Sequence, residues 1–156
     1  MGRHSILAAR ILSSAAIAIV LLLGIFAVAR LAFGVRIKGS LLGFLLITGA
    51  FGLFTGAFGL LIAALGRTPE ATRGLSIMAT LFMLMLGGAW VPAFIFPPWL
   101  QKASLAFPTR WAIDGLEAMT WRGLGFGAAL APAAVLLAFS VAMGLLAWAR
   151  FPFEEV

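Results

Sequence analysis

Few residues in this sequence could take part in catalysis, and they do not form a catalytic pattern. Asp114 and Glu117 lie three residues apart, so a helix would place both carboxylates on one face. Neither a nucleophile with its base nor a set of metal ligands accompanies them, as an active site would require. The single histidine is His4, and the chain has no cysteine. We therefore expect no enzymatic activity and no metal or cofactor bound by this chain.

The apolar residues dominate the sequence and fall into four long runs. The composition is 63% hydrophobic and 10% charged, with a mean hydropathy of +1.14, which excludes an ordinary soluble domain. Charged residues are absent from residues 11–29, 39–66, 74–101 and 123–149. Runs of this length can cross a hydrocarbon core about 30 Å thick as helices. The sequence thus predicts an all-α integral membrane protein with four transmembrane helices, at about residues 8–32, 40–65, 70–94 and 126–149.

The net charge of +6 is carried by basic residues that stand singly between the apolar runs. Basic residues in these positions typically anchor membrane spans at the lipid headgroups. A nucleic-acid-binding protein would instead gather its basic residues into a patch or stripe. We therefore expect membrane lipid to be a partner of this chain, and nucleic acid not to be one.

The second predicted helix carries small residues at intervals of three and four, which places them on one face. Small residues allow helix backbones to approach closely in lipid. The face consists of Gly49, Gly52, Gly56, Gly59 and Ala63. We interpret it as a surface that packs against a neighbouring helix of the same chain; a seam between two subunits is the alternative.

A short polar loop with two arginines joins the second and third predicted helices. Thr68 can cap the third helix, Pro69 suits its first position, and Glu70 favours the positive end of the helix dipole. The two helices should form a tight antiparallel hairpin with Arg67 and Arg73 at its tip. This turn either lies at the lipid surface or binds a cytosolic partner. In the second case, the candidate contact residues are Arg67, Thr68, Glu70 and Arg73.

The segment from Gly87 to Trp121 interrupts the regular helical pattern. Glycine pairs and prolines break the helix at Gly87-Gly88, Pro92 and Pro97-Pro98. Broken helix near a membrane requires cover from protein or a water-filled cavity, because its backbone groups need partners. We therefore predict a re-entrant or amphipathic interfacial segment over residues 97–122, which serves as a cap or as part of a pathway.

An amphipathic helix is predicted within this segment, from Arg110 to Trp121, with Thr109 as its cap. Ala112, Leu116 and Met119 share one side of it, and the charged residues Arg110, Asp114 and Glu117 share the other. Such a helix is typical of the membrane interface. Arg110 and Asp114 are four residues apart and are expected to pair, which would reduce the cost of holding both charges near lipid.

The distribution of basic residues does not decide the orientation of the four-span arrangement. Four spans place both termini on one side of the membrane. That side then holds Arg3, Arg10, Arg67, Arg73 and Arg150. The other side holds six basic residues: Arg30, Arg36, Lys38, Lys102, Arg110 and Arg122. The excess of positive charge on the cytosolic side that normally sets orientation is therefore missing.

The order of these features resembles the C-terminal membrane half of an ABC-2 type transporter permease. The resemblance covers nearly the whole chain and rests on four stretches: FGLLIAALGRT at 58–68, GGAWVP at 87–92, PWL at 98–100, and PTRWA at 108–112 with DGL at 114–116. Such permeases usually have six spans, so residues 1–156 would form a single transmembrane domain that corresponds to the last four. The chain would then be a fragment, a truncated frame or a degenerate subunit.

The resemblance also implies a function and an orientation. Both termini would be cytosolic in the cell (plasma or inner) membrane, and the loop at Arg67–Arg73 would face a cytosolic ABC ATPase subunit. A second permease subunit, identical or different, would complete the pathway of an ATP-driven exporter. The chain has no GxxxxGK[ST] phosphate-binding loop, so ATP would act through the partner.

In that family context the broken segment would gate the outer end of the pathway. The candidate gate residues are Gly87, Gly88, Trp90, Pro92, Pro97, Pro98, Arg110, Trp111 and Asp114. The alternative is a four-helix scaffold or accessory subunit that does not transport, in which the glycine face binds a larger membrane partner.

Overall fold

The structure is a computed structural model that describes residues 3–150, and all regular secondary structure in this part of the chain is helical. It contains no β-strand within those residues, which confirms the all-α prediction. The helices are α1 (Arg3–Phe33), α2 (Leu41–Leu65), α3 (Pro69–Gly87), α4 (Pro98–Ser104), α5 (Pro108–Thr120) and α6 (Gly127–Arg150), with a 3-10 turn at Ala93–Ile95 between α3 and α4.

Three of the helices are long and apolar enough to cross a membrane. These are Ser5–Phe33 of α1, α2 and α6, with hydropathies of 2.8, 2.1 and 2.2. Helix α3 has 19 residues and would extend about 28 Å, but Glu70 and Arg73 occupy its first turns. Its continuous apolar part is therefore shorter than a full crossing. The fourth span stays a prediction.

Helix α3 ends at Gly87, where the sequence predicted a break in the helix, although the third span was predicted to extend to about residue 94. Gly88 adopts a left-handed conformation with φ of +88°, which a residue with a side chain rarely adopts. Its N–H donates to the carbonyl oxygen of Leu84 and closes the last turn. Pro92 follows shortly afterwards and cannot resume the helical ladder.

The turn between α2 and α3 has the predicted capping residues. Thr68 Oγ1 accepts a hydrogen bond of 3.1 Å from the N–H of Ala71, and Pro69 occupies the first helical position. Gly66 ends α2, and its N–H donates to the carbonyl oxygen of Ile62. These bonds satisfy backbone groups that the two helix ends would otherwise leave unpaired.

Helices α2 and α6 form the centre of the bundle. Helix α1 packs against one side of α2, while α5 covers the ends of α2 and α6. The fully buried residues of this core include Phe44 and Ile47 of α2, Leu136 of α6 and Met119 of α5. Helix α3 is attached mainly through α5. The position of α3 therefore depends on α5 more than on the helix next to it in sequence.

Part of the predicted glycine face forms the contact between α1 and α2. A methyl group added at Gly56 would lie 2.5 Å from the carbonyl oxygen of Ile11, and one at Gly52 would lie 2.6 Å from Cγ1 of Ile19. Gly49 and Gly59 have open space around them, and Ala63 is exposed. Packing within the chain thus accounts for Gly52 and Gly56 only.

The Gly56→Leu variant is expected to lose about 1–3 kcal/mol of stability, because the added side chain would push α1 away from α2. Thermal unfolding of the detergent-solubilised protein, followed by circular dichroism, measures this loss. The matched control is Gly59→Leu on the same helix, where an added Cβ has open space around it. Equal stability of the two variants would contradict the observed α1–α2 contact.

The predicted crossing of α3 can be tested because the chain has no native cysteine. Arg67→Cys and Lys102→Cys place single thiols at exposed positions on either side of α3. If α3 crosses the membrane, a membrane-impermeant maleimide should label the two thiols from opposite sides of oriented vesicles. Labelling of both from the same side would rule out the fourth span.

Candidate functional site

Helix α5, the amphipathic helix of the candidate gate, rests on protein along its apolar side. Ala112 and Met119 are 3% and 0% exposed. A methyl group at Gly115 would lie 2.9 Å from both Ile47 of α2 and Pro132 of α6, so the absence of a side chain permits this contact. The amphipathic pattern did not predict whether lipid or protein would cover this face; the core formed by α2 and α6 covers it.

The first turn of α5 is joined to the end of α3. Thr109 Oγ1 donates a 2.6 Å hydrogen bond to the carbonyl oxygen of Met83. The helix begins at Pro108 and its cap position is Phe107, so the prediction of Thr109 as the cap was wrong. Gly87 packs directly against Thr109, with no room for a side chain between them. The broken end of α3 is therefore fixed to α5.

The predicted ion pair between Arg110 and Asp114 is present in the structure. Arg110 Nε donates to Asp114 Oδ2 at 2.6 Å, and the two side chains are 16% and 33% exposed. Arg110 Nη1 also donates to the hydroxyl of Ser104 at 3.2 Å. Ser104 is fully buried and in turn donates to the carbonyl oxygen of Gln101. One arginine thereby connects α4 to α5.

Two other polar side chains satisfy carbonyl groups of the irregular backbone. Gln101 Nε2 donates to the carbonyl oxygen of Phe96 at 2.8 Å, just before α4. Trp111 Nε1 donates to that of Leu105 at 2.8 Å, just after α4. A buried or lipid-exposed carbonyl without a partner would cost free energy. These side chains therefore allow the break to exist close to the membrane.

A cleft of about 240 Å³ opens beside the charged side of α5. Its lining residues are Ala93, Phe94, Arg110, Ile113, Asp114, Glu117, Trp121 and Arg122. The Glu117 carboxylate makes no ion pair or hydrogen bond with the side chains that the structure describes. The cleft thus combines a paired carboxylate, an unpaired one and an aromatic rim.

The opposite end of α5 is held by the link between α1 and α2. The N–H groups of Lys38 and Gly39 donate to the carbonyl oxygens of Thr120 and Met119 at 3.0 and 2.8 Å. Further along the chain, Leu124 N–H donates to Ala118 and Arg122 N–H to Glu117. All of the last four carbonyl groups of α5 are therefore satisfied, as a helix end requires. Sequence reasoning missed this contact, since the bonds come from backbone groups that have no residue signature.

The structure brings together only some of the predicted gate residues. Gly87 meets Thr109, Gly88 meets Ala93, and Arg110 meets Asp114. Four other predicted gate residues are exposed between the end of α3 and the first residue of α4: Trp90, Pro92, Pro97 and Pro98. The loop residues Arg67, Thr68, Glu70 and Arg73 are also exposed and belong to the turn between α2 and α3, at the other end of α3. Among the side chains of residues 5–150, no three that could bind a metal ion come together.

Comparison with known families settles the class of protein. The sequence model of the ABC-2 type transporter family matches residues 1–121. This range includes helices α1 to α5. The chain belongs to the ABC-2 type transporter family. It is therefore a membrane-embedded protein of the permease type with a role in transport. No curated protein and no solved structure matches the chain.

The contribution of the Arg110–Asp114 pair is expected to be about 1 kcal/mol, because Asp114 is one third exposed and solvent screens such a pair. Stabilities of Arg110→Gln, Asp114→Asn and the double variant should give a coupling free energy of this size. Glu117→Gln serves as the control, since Glu117 has no ionic partner among the described residues. Additive effects of Arg110→Gln and Asp114→Asn would show that the ion pair does not stabilise the fold.

Proposed function

We propose that this chain is the membrane subunit of an ATP-driven exporter, or a fragment of one, and that a separate cytosolic ABC ATPase subunit drives it. Membership of the ABC-2 family supports a permease role. In this proposal a second permease subunit, identical or different, forms the other wall of the pathway. Both termini lie in the cytosol, and the complex is in the plasma or inner membrane.

The observation that carries the proposal is the attachment of α5 to several long helices at once. Its first turn is bonded to α3, its middle packs on α2 and α6, and its last turn is bonded to the α1–α2 link. A change in tilt of any of these helices must therefore move α5. Because α5 forms one wall of the cleft with Asp114 and Glu117, such a movement would change the access to that cleft.

The proposed mechanism assigns different tasks to the two ends of α3. The exposed arginines Arg67 and Arg73, with Thr68 and Glu70, contact the ATPase subunit at the α2–α3 turn. ATP binding and hydrolysis in the partner tilt α2 and α3. The contacts of Gly87 and Thr109 transmit the tilt to α5, and the broken segment opens or closes the outer end of the pathway.

We expect a thiol placed at Ile113, in the lining of the cleft, to change its labelling rate several-fold when ATP is added to the partner-complete complex in vesicles. The chain has no other cysteine, so a maleimide reports this position alone. Lys102→Cys, which is exposed outside the cleft, should label at the same rate with and without ATP. Arg67→Glu with Arg73→Glu should reduce both recovery of the ATPase subunit and the ATP response at Ile113→Cys.

Each outcome of this experiment bears on a different part of the proposal. An ATPase subunit that is recovered with the chain, together with an unchanged labelling rate at Ile113→Cys, would eliminate the gating role. Recovery of a large membrane complex without an ATPase would instead favour the scaffold or accessory subunit. The same charge reversal at Arg30 and Lys102, exposed residues that line neither this cleft nor the α2–α3 turn, controls for a general effect of lost positive charge.

A further inference from the structure

A second cleft lies at the same end of the bundle as the candidate gate, on the other side of Trp121. Its volume is about 400 Å³, and its lining residues are Phe26, Gly34, Val35, Arg36, Lys38, Thr120 and Trp121. Only Trp121 also lines the cleft beside Asp114 and Glu117. This second cleft therefore has its own walls, formed by α1, the α1–α2 link and the end of α5. We call it the link cleft.

The link cleft is positively charged and contains no carboxylate. Arg36 and Lys38 line it, and neither makes an ion pair or a side-chain hydrogen bond with the described side chains. Within residues 3–150 the acidic residues are Glu70, Asp114 and Glu117, none of which lines this cleft. Two cations in a common cleft without a counter-charge favour an anionic ligand.

The backbone holds both basic residues in defined positions. Gly34 ends α1 in a left-handed turn with φ of +67°, and the N–H of Val35 donates to the carbonyl oxygen of Ala29 at 3.3 Å. The hydrogen bond from Lys38 N–H to Thr120 then fixes the link to α5. Arg36 lies between these two anchors. The cations are thus attached to a braced segment and not to a free loop.

The remaining walls of the link cleft are apolar. Phe26 lies on α1, inside the candidate span Ser5–Phe33, and its ring packs edge-on against Phe44 with centroids 4.6 Å apart. Val35 and Trp121 add apolar surface, and Trp121 is 60% exposed. The cleft lies where α1 ends and α2 begins, at the expected level of the lipid headgroups. A cationic rim above an apolar wall at this depth matches the two parts of a phospholipid.

We infer that the link cleft binds an anionic phospholipid. Arg36 and Lys38 contact the headgroup phosphate, and an acyl chain lies along Phe26 and Trp121. Electrostatic attraction to the headgroup and apolar contact with the chain both contribute to such binding. Free inorganic phosphate shares the anionic chemistry but has no part that would use the apolar wall. This inference requires only that the chain is embedded in a membrane, and it is independent of the proposed ATP-driven gating.

The test is native mass spectrometry of the purified chain in detergent with added phosphatidylglycerol or phosphatidylcholine of identical acyl chains. The unmodified protein should retain one phosphatidylglycerol preferentially. Arg36→Gln with Lys38→Gln should lower its apparent affinity roughly tenfold or more, since each basic residue near a headgroup contributes substantially to attraction. The matched control is Arg30→Gln with Arg122→Gln, which removes two exposed cations at the same end without altering the link cleft.

The result that would support the inference is a loss confined to the Arg36→Gln, Lys38→Gln protein, with little change in the control. Equal loss in both double variants would overturn it in favour of diffuse attraction to the whole basic surface. Equal retention of the two lipids by the unmodified protein would also overturn it. Displacement of phosphatidylglycerol by millimolar inorganic phosphate would reject the lipid as occupant and indicate a free-anion site. Circular dichroism of each variant confirms that the compared proteins are folded.

Discussion

The broken segment between α3 and α6 has backbone polar groups that no regular helix pairs, and such groups need partners elsewhere. Much of the surrounding structure follows from this constraint. Gln101 and Trp111 donate to carbonyl groups on either side of α4, and Thr109 donates to the end of α3. The link before α2 completes the C-terminal end of α5. Side chains within the segment and backbone groups of the α1–α2 link therefore pair several of its backbone groups.

Two of these bonds also connect α5 to α3 and to the link between α1 and α2. Helix α3 touches the rest of the bundle mainly through α5, and the α1–α2 link is bonded to its opposite end. Close contact is possible because glycines occupy the crossing points, such as Gly115 against Pro132 and Gly87 against Thr109. Packing of this density transmits small displacements with little loss. In the proposed mechanism, these contacts carry the movement of the long helices to α5.

The polar side chains in the broken segment mainly stabilise the fold. Arg110 contacts both Asp114 and Ser104, so its guanidinium group holds two short helices together. At the same end of the bundle, Arg36 and Lys38 have no acidic neighbour in their cleft and are free to contact a lipid. Positive charge thus has two roles: Arg110, paired with a carboxylate, joins α4 to α5, and the unpaired Arg36 and Lys38 line the cleft in which we propose that a phospholipid binds.

The sequence by itself determined the helical class, the membrane location, the caps at Thr68 and Gly66, and the Arg110–Asp114 pair. These features depend on local composition, on backbone preferences of single residues, or on spacing along one helix, and all of those can be read in order along the chain. Family resemblance in the sequence also identified the ABC-2 class, which the match over residues 1–121 confirmed.

Only the tertiary structure decided what covers each face. The helical period placed Gly49, Gly52, Gly56 and Gly59 together, but only Gly52 and Gly56 make close contact with α1. Amphipathicity identified the two sides of α5 without distinguishing lipid from protein as the neighbour of Met119. The bonds from the α1–α2 link to α5 join backbone groups about 80 residues apart in sequence. Because every residue carries the same backbone groups, such pairings are decided by the fold and leave no pattern in the sequence.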